Sequence, residues 1–121
     1  MKHIVKTYIL LALALPFVLF TNGCAKSKEK YIEVLEGKGY IVTEKEVPGT
    51  SKAESMIEAV SEKGYVRLSF YKSHKDSQEG YNKEKQDIAM IKSYSPNYDY
   101  QVFWVENVVM VGNAQGISDA K

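Results

Sequence analysis

The most regular feature of the chain is the alternation of apolar and other side chains over residues 65–71. One side of this stretch carries Val66, Leu68 and Phe70, and the other carries Tyr65, Arg67, Ser69 and Tyr71. A period of two is typical of a half-buried β-strand, so we predict a strand here. Residues 40–47 alternate more loosely and predict another strand, which ends at Pro48-Gly49.

Two further segments have the spacing of helices. Apolar residues recur at helical intervals between residues 27 and 38, ahead of Gly39, which predicts a short helix. Either Ser73 or Asp76 caps a longer helix that continues to about residue 93. Its predicted buried stripe consists of Tyr81, Ile88 and Ile91.

The segment between these elements, residues 51–63, fits two structures. A capping box and apolar positions at 53, 56, 57 and 60 favour a helix. The same residues also fit a hairpin, in which Met56–Val60 pairs with the strand that starts at Tyr65 across a turn at residues 61–64. The residues alone leave both structures open.

Residues after the long helix predict a second hairpin and then a loose end. Two β-rich runs, residues 100–105 and 108–113, flank Glu106-Asn107, which suits a two-residue turn because Asn tolerates a positive φ. Residues 114–121 look like a flexible tail. Together the elements predict a two-layer α+β domain over residues 31–113, with an antiparallel sheet of four to five strands packed against two helices.

The first 23 residues have the pattern of an export signal. Lys2 and Lys6 precede thirteen uncharged residues, 8–20, which as a helix would cover about 20 Å of the roughly 30 Å that a membrane span requires. Gly23-Cys24 follows directly, and the whole stretch resembles a bacterial lipoprotein signal peptide. The resemblance implies cleavage before Cys24 and a lipid on its sulfur, with residues 24–30 as a polar tether.

Ordinary signal cleavage is the alternative. Gly23 and Ala25 are small residues separated by one position, which is the pattern that precedes an ordinary signal-cleavage site. It would place the cut after Ala25. We favour lipidation, because it gives a reason for a single cysteine at this position.

A second resemblance covers roughly residues 31–113. These residues contain, in order, a helix, Lys38-Gly39-Tyr40, a strand ending in Phe70-Tyr71, a helix opening with Asp76 to Glu79, and a closing Asn107-Val108-Val109 strand. This order resembles that of small uncharacterised lipoproteins of Clostridia-type bacteria. In that family the segment that matches Met56 to Tyr71 is a hairpin. The resemblance therefore favours a strand over a helix for residues 56–60.

Charge and cysteine content exclude several classes of protein. The 121 residues carry a net charge of +1, so a nucleic-acid partner is not expected, because a surface that follows phosphates needs an excess of Lys and Arg. Removal of residues 1–23 takes away two lysines and leaves a net charge of −1. The single cysteine cannot form a disulfide within the chain, and a lipid on it would preclude thiol chemistry.

The polar residues do not form a recognisable catalytic set. His74 is the only histidine after residue 3, and its neighbours Ser73 and Asp76 are ordinary residues at the start of a helix. No metal site and no cofactor are expected, because one histidine and no free thiol make a poor ligand set. A small cell-envelope hydrolase or enzyme inhibitor that uses His74, Asp76 or Glu79 is kept as the alternative function.

Aromatic side chains are the strongest candidates for binding. Tyr98, Tyr100 and Trp104 lie close together in sequence, and Tyr65, Arg67 and Tyr71 share the polar side of a strand. Tyrosine and tryptophan offer apolar faces with a polar group, which suits interfaces and sugars. The competing interpretation buries one of Phe103 and Trp104 in the core.

These observations lead to one functional expectation. The protein would be a lipoprotein of a bacterial cell membrane that faces away from the cytoplasm. Its domain would be a non-enzymatic binding or interaction module, with an envelope protein or a glycan as partner.

Overall fold

A computed structural model of the protein describes residues 26–121. The predicted signal peptide, Gly23 and Cys24 lie outside the described residues. The helices and strands follow one another as α1 (Lys28–Gly37), β1 (Ile41–Lys45), β2 (Ser55–Val60), β3 (Tyr65–Phe70), α2 (His74–Tyr94), β4 (Gln101–Val105), β5 (Val108–Gly112) and α3 (Ala114–Ala120).

The five strands form one sheet in the order β1-β2-β3-β5-β4, and every neighbouring pair is antiparallel. The predicted α+β class with an antiparallel sheet is therefore confirmed. Residues 55–60 are a strand that pairs with β3, so the hairpin structure is correct and the helix is not. Tertiary burial decides this segment, because pairing Ile57 with Leu68 and Ala59 with Val66 buries all four side chains completely.

One face of the sheet, here called the core face, carries the hydrophobic core. Alternation along β2 and β3 directs Ile57, Ala59, Val66 and Leu68 to this face. Both α1 and α3 cover it, and the side chains that close the core from the helices are Tyr31, Leu35, Ile117 and Ala120.

The opposite face is covered by α2, which packs mainly on β4 and β5. Ser73 is the N-cap of α2, because its hydroxyl accepts a hydrogen bond from the Asp76 backbone N–H at 3.0 Å. The helices thus lie on both faces, where a single helical layer is predicted. The reason is that β4 is apolar on both sides: Phe103 packs against the core while Trp104 stacks on α2.

The buried side of α2 is narrower than its sequence predicts. Ile88 is buried, but Tyr81 is only half-buried and Ile91 is exposed. The turn between β4 and β5 is at the predicted place, although Glu106, not Asn107, is the residue with a positive φ, 54°. Among residues 26–121, no helix combines the length and the apolar composition that crossing a bilayer requires.

Two predictions about the ends of the domain are wrong. Residues 114–120, expected to belong to a flexible tail, form α3, whose N-cap Asn113 accepts a hydrogen bond from the Gly116 backbone N–H at 2.9 Å. Buried Ile117 and Ala120 hold this helix on the core face. Residues 28–30, assigned to a polar tether although they also fall within the helix predicted over residues 27–38, are the first turn of α1, so the helix prediction is the correct one.

The packing of α3 makes a direct prediction at Gly116. A Cβ at this position would collide with the backbone of Tyr65 in β3, so Gly116→Ala must push the helix away from the sheet. We expect a loss of about 1–3 kcal/mol in the free energy of unfolding, as for other overpacked sites. Urea denaturation of the purified domain measures it.

Gly37→Ala is the matched control, because no atom lies within 4 Å of a Cβ at that position. It should be neutral or slightly stabilising. Equal stability of the two variants would mean that α3 is not packed on the sheet.

Candidate functional site

The half of the sheet that α2 does not cover is here called the open face. It consists of the side chains of β1, β2 and β3 that point away from the core face. Within residues 26–121, α2 packs mainly on β4 and β5 and reaches only the border of this face, where Glu84 pairs with Arg67 and Ser69 is buried. Alternation and strand register assign to it Ile41, Thr43, Lys45, Met56, Glu58, Val60, Tyr65, Arg67 and Ser69.

A line of apolar and aromatic side chains crosses one end of the open face. Ile41 pairs with Val60 in the β1–β2 register, and Val60 pairs with Tyr65 in the β2–β3 register. The ring of Tyr65 stacks on that of Tyr100 with centroids 5.3 Å apart, and Tyr98 packs on Tyr100 at 5.1 Å. These five residues are here called the apolar row.

The aliphatic part of the apolar row is the more exposed part. Ile41 is 75% exposed and Val60 is 45% exposed, whereas the three tyrosines are half-buried against one another. Large aliphatic side chains left in water at adjacent positions cost free energy that a bound partner can recover. Ile41 and Val60 are not among the binding residues predicted from the sequence, whereas the three tyrosines are.

The polar groups beside the apolar row are engaged with one another. The Tyr65 hydroxyl donates a hydrogen bond of 2.8 Å to Oε2 of Glu58, and the other oxygen of that carboxylate, Oε1, lies 3.7 Å from the Lys45 ammonium. Burial, and after it this hydrogen bond, raise the pKa of Tyr65 well above its usual value. Burial also raises the pKa of Tyr100. Both phenols are neutral at physiological pH, as an ordinary tyrosine is, and the raised pKa extends the neutral form to more alkaline pH.

Arg67 connects the open face to α2. Its Nη2 donates a 2.7 Å hydrogen bond to a Glu84 carboxylate oxygen, and the two side chains are 29% and 24% exposed. The Arg67 Nε is buried without a hydrogen-bond partner among the described residues. Beside this ion pair lies a cleft of about 330 Å³ between α2 and the open face.

The charges that line this cleft neutralise one another. Lys52 lies 2.9 Å from Glu79, and Lys83 lies 3.1 Å from Asp87. With the Arg67–Glu84 pair, each of the three cations has an anionic neighbour, and Asp76, 4.0 Å from Lys52, adds a fourth carboxylate, so the cleft has no unpaired cation and one excess negative charge. No cluster of three or more metal-ligating side chains occurs within residues 26–121.

Two of the predicted binding residues lie elsewhere. Tyr71 is only 8% exposed, and its hydroxyl end faces Gly80 of α2, where a Cβ would collide with the ring. Trp104 is sandwiched between His74 and Tyr81, with ring centroids 4.9 Å and 5.1 Å away. Both residues join α2 to the sheet instead of contributing to an exposed patch.

The three residues of the hydrolase hypothesis do not converge. The His74 ring stacks on Trp104. Asp76 and Glu79 instead line the cleft, where both carboxylates lie near the Lys52 ammonium. The hydrogen bond from Lys52, and after it the positive charge of that residue, lower the pKa of Glu79. A general acid requires a raised pKa, so this environment does not prepare Glu79 for that role.

Comparison of the chain with protein-family models, with curated proteins and with solved structures gives no match.

The Arg67–Glu84 pair makes a prediction about what holds α2 beside the open face. Glu84→Gln removes the charge opposite a largely covered guanidinium, so we expect a loss of about 1–2 kcal/mol in unfolding free energy. Asp87→Asn is the control, because the Lys83–Asp87 pair is exposed and should contribute about 0.5 kcal/mol or less. Equal losses in chemical denaturation would contradict a special role for the Arg67 pair.

Proposed function

We propose that the protein is a lipoprotein attached through Cys24 to the outer side of a bacterial cell membrane, and that its folded domain is a non-enzymatic binding module. The residues of the export signal and Gly23-Cys24 support the first half of the proposal. Two acyl chains or more would give durable attachment. The open face supports the second half, because it exposes the apolar side chains of Ile41 and Val60.

One observation carries the binding role. Within residues 26–121 the exposed large hydrophobic side chains are Ile41, Val60, Met90, Ile91 and Tyr94. Each lies on the open face or on α2, and α1 and α3 contribute none of them. Isolated exposed hydrophobic residues are common, but the concentration of all of them on one side of a domain is typical of an interaction surface.

The composition of the apolar row favours a protein partner over a glycan. Sugars stack on free aromatic faces, whereas the rings of Tyr65 and Tyr100 stack on each other. Ile41 and Val60 offer aliphatic surface, which matches apolar side chains of a protein. We therefore place an envelope protein first and a glycan second.

A small cell-envelope hydrolase or enzyme inhibitor is the alternative function. It would use His74, Asp76 or Glu79. The separation of His74 from the two carboxylates gives this alternative no supporting geometry.

Lipidation is tested by mass spectrometry of the protein purified from the membranes of the bacterium that makes it. We expect a mature chain that begins at Cys24 and carries a diacylglycerol on its sulfur, and Cys24→Ser should abolish the acyl mass. A mature chain that begins at Lys26, or a free thiol at position 24, would contradict the anchor.

Binding is tested by photo-crosslinking in living cells. A photoreactive amino acid replaces Ile41 or Val60, one at a time, and crosslinked products are identified by mass spectrometry. Because the two side chains are neighbours in the apolar row, we expect both positions to give the same envelope protein.

The matched control carries the photoreactive residue at Ser118, an exposed position of α3 on the other side of the sheet. It should not give that product. The same products from all three positions, or none from positions 41 and 60, would overturn the binding role. A glycan or a second copy of this chain at positions 41 and 60 would replace the protein partner.

A further inference from the structure

The chain is attached to the folded domain immediately after the proposed anchor. The Lys26 ammonium donates hydrogen bonds to the backbone carbonyls of Ala120, at 3.3 Å, and Lys121, at 2.9 Å. The same ammonium lies 4.7 Å from the centre of the Tyr31 ring. Ser27 then caps α1. From Lys26 onwards the chain has contacts that fix its position.

Only two peptide units separate Cys24 from Lys26. Two trans peptide units span at most about 7 Å. An acyl group on Cys24 would therefore leave almost no slack between lipid and domain. A flexible tether would let the domain tumble, whereas this connection restricts which surface can reach the bilayer.

The contacts of Lys26 locate this surface within the fold. Tyr31 packs on Phe70 at 5.7 Å, and Phe70 is the last residue of β3. The ammonium of Lys121 lies over the ring of Phe103. The surface around Lys26, Lys121 and the first turn of α1, here called the anchor corner, thus lies on the core-face side toward the Phe70 end of the sheet. Asp119 of α3 does not belong to it, because its carboxylate accepts a hydrogen bond from Tyr40, whose ring lies against Gly64 near the Tyr65 end.

The apolar row is at the diagonally opposite corner. Its member Tyr65 begins β3, five residues before Phe70, which corresponds to about 17 Å along the strand. The side chains of the row also point away from the core face. The anchor corner and the apolar row therefore lie toward opposite ends of β3 and on opposite faces of the sheet.

The anchor corner also suits contact with lipid headgroups. The Lys26 ammonium is held by the backbone oxygens of Ala120 and Lys121. The Lys121 ammonium lies over the Phe103 ring and forms no ion pair with an acidic side chain of residues 26–121, so it is the group that can contact headgroup phosphates. A lysine close to an anionic membrane is attracted by the negative surface potential of the headgroups.

We propose that the anchor corner lies against the lipid headgroups of the bilayer, and that the apolar row consequently points away from the membrane toward the cell exterior. The proposal rests on Cys24 as the point of attachment. The occupant of the anchor corner is a lipid surface, and the apolar row is left free for the partner of the binding module.

The test uses the only tryptophan and the only cysteine of the chain. In a Trp104→Phe background, a single tryptophan is introduced by Glu29→Trp at the anchor corner or by Ile41→Trp in the apolar row. Both sites are exposed. The chain from Cys24 onwards, which contains all the contacts described here, is coupled through its one thiol to a maleimide phospholipid in phosphatidylcholine–phosphatidylglycerol vesicles. Circular dichroism verifies the fold of both variants.

Nitroxide-labelled headgroups quench tryptophan fluorescence at short range and so measure closeness to the bilayer. We expect stronger quenching for Glu29→Trp than for Ile41→Trp. Equal quenching, or stronger quenching for Ile41→Trp, would overturn the proposed orientation. Because the lipid is attached chemically, this result is independent of whether the natural protein is acylated, which the mass measurement on Cys24 decides separately.

A linker variant tests whether the short connection causes the orientation. Ten Gly and Ser residues inserted before Lys26 would have a root-mean-square span of about 17–19 Å. We expect the difference in quenching between the two positions to disappear. If the difference persists with the linker, the short connection is not its cause and that part of the proposal is wrong.

Discussion

The structure depends on one geometric constraint, which is that the two faces of the sheet are covered unequally. Five strands spaced about 4.8 Å apart make a sheet about 19 Å wide, and packed helices lie about 8–10 Å apart, so each face has room for about two helices. The core face has two, α1 and α3. Within residues 26–121 the other face has only α2, which packs mainly on β4 and β5. The open face and its apolar row are a consequence of this imbalance.

Tyr65 joins the two sides of the sheet. Its backbone N–H donates to the Asn113 side-chain oxygen at 3.0 Å, and its carbonyl accepts from the Asn113 backbone N–H at 3.1 Å, which fixes the start of α3. Its ring stacks on Tyr100 in the apolar row. The residue that positions the closing helix of the core therefore also forms the centre of the candidate binding surface.

Local sequence patterns predict those helices and strands in which buried and exposed side chains repeat with a single regular spacing. The alternation of Val66, Leu68 and Phe70 predicts β3 because this strand has one core-facing side. Residues 56–60 fit both a helix and a strand locally, and only pairing with β3 decides between them. The last helix is missed because seven residues carry too few turns for a periodic signal.

The sequence predicts the candidate site only in part, because some of its residues come together only when the strands pair. Tyr65, Tyr98 and Tyr100 stand out by residue type, but Ile41 and Val60 become a surface only when three strands are placed in register. Register depends on contacts between residues distant in sequence, which a local pattern does not contain. Tyr71 and Trp104 look equally exposed in the sequence, yet α2 covers both.

The unequal coverage is tested most directly by solvent accessibility of methyl groups in nuclear magnetic resonance spectra, with a soluble paramagnetic gadolinium complex in the buffer. Strong relaxation of the Ile41 and Val60 methyl groups is expected, together with protection of Ile57 and Val66 on the core face. Protection of Ile41 and Val60 in the monomeric domain would show that the face is covered, and the account of an open binding surface would be wrong.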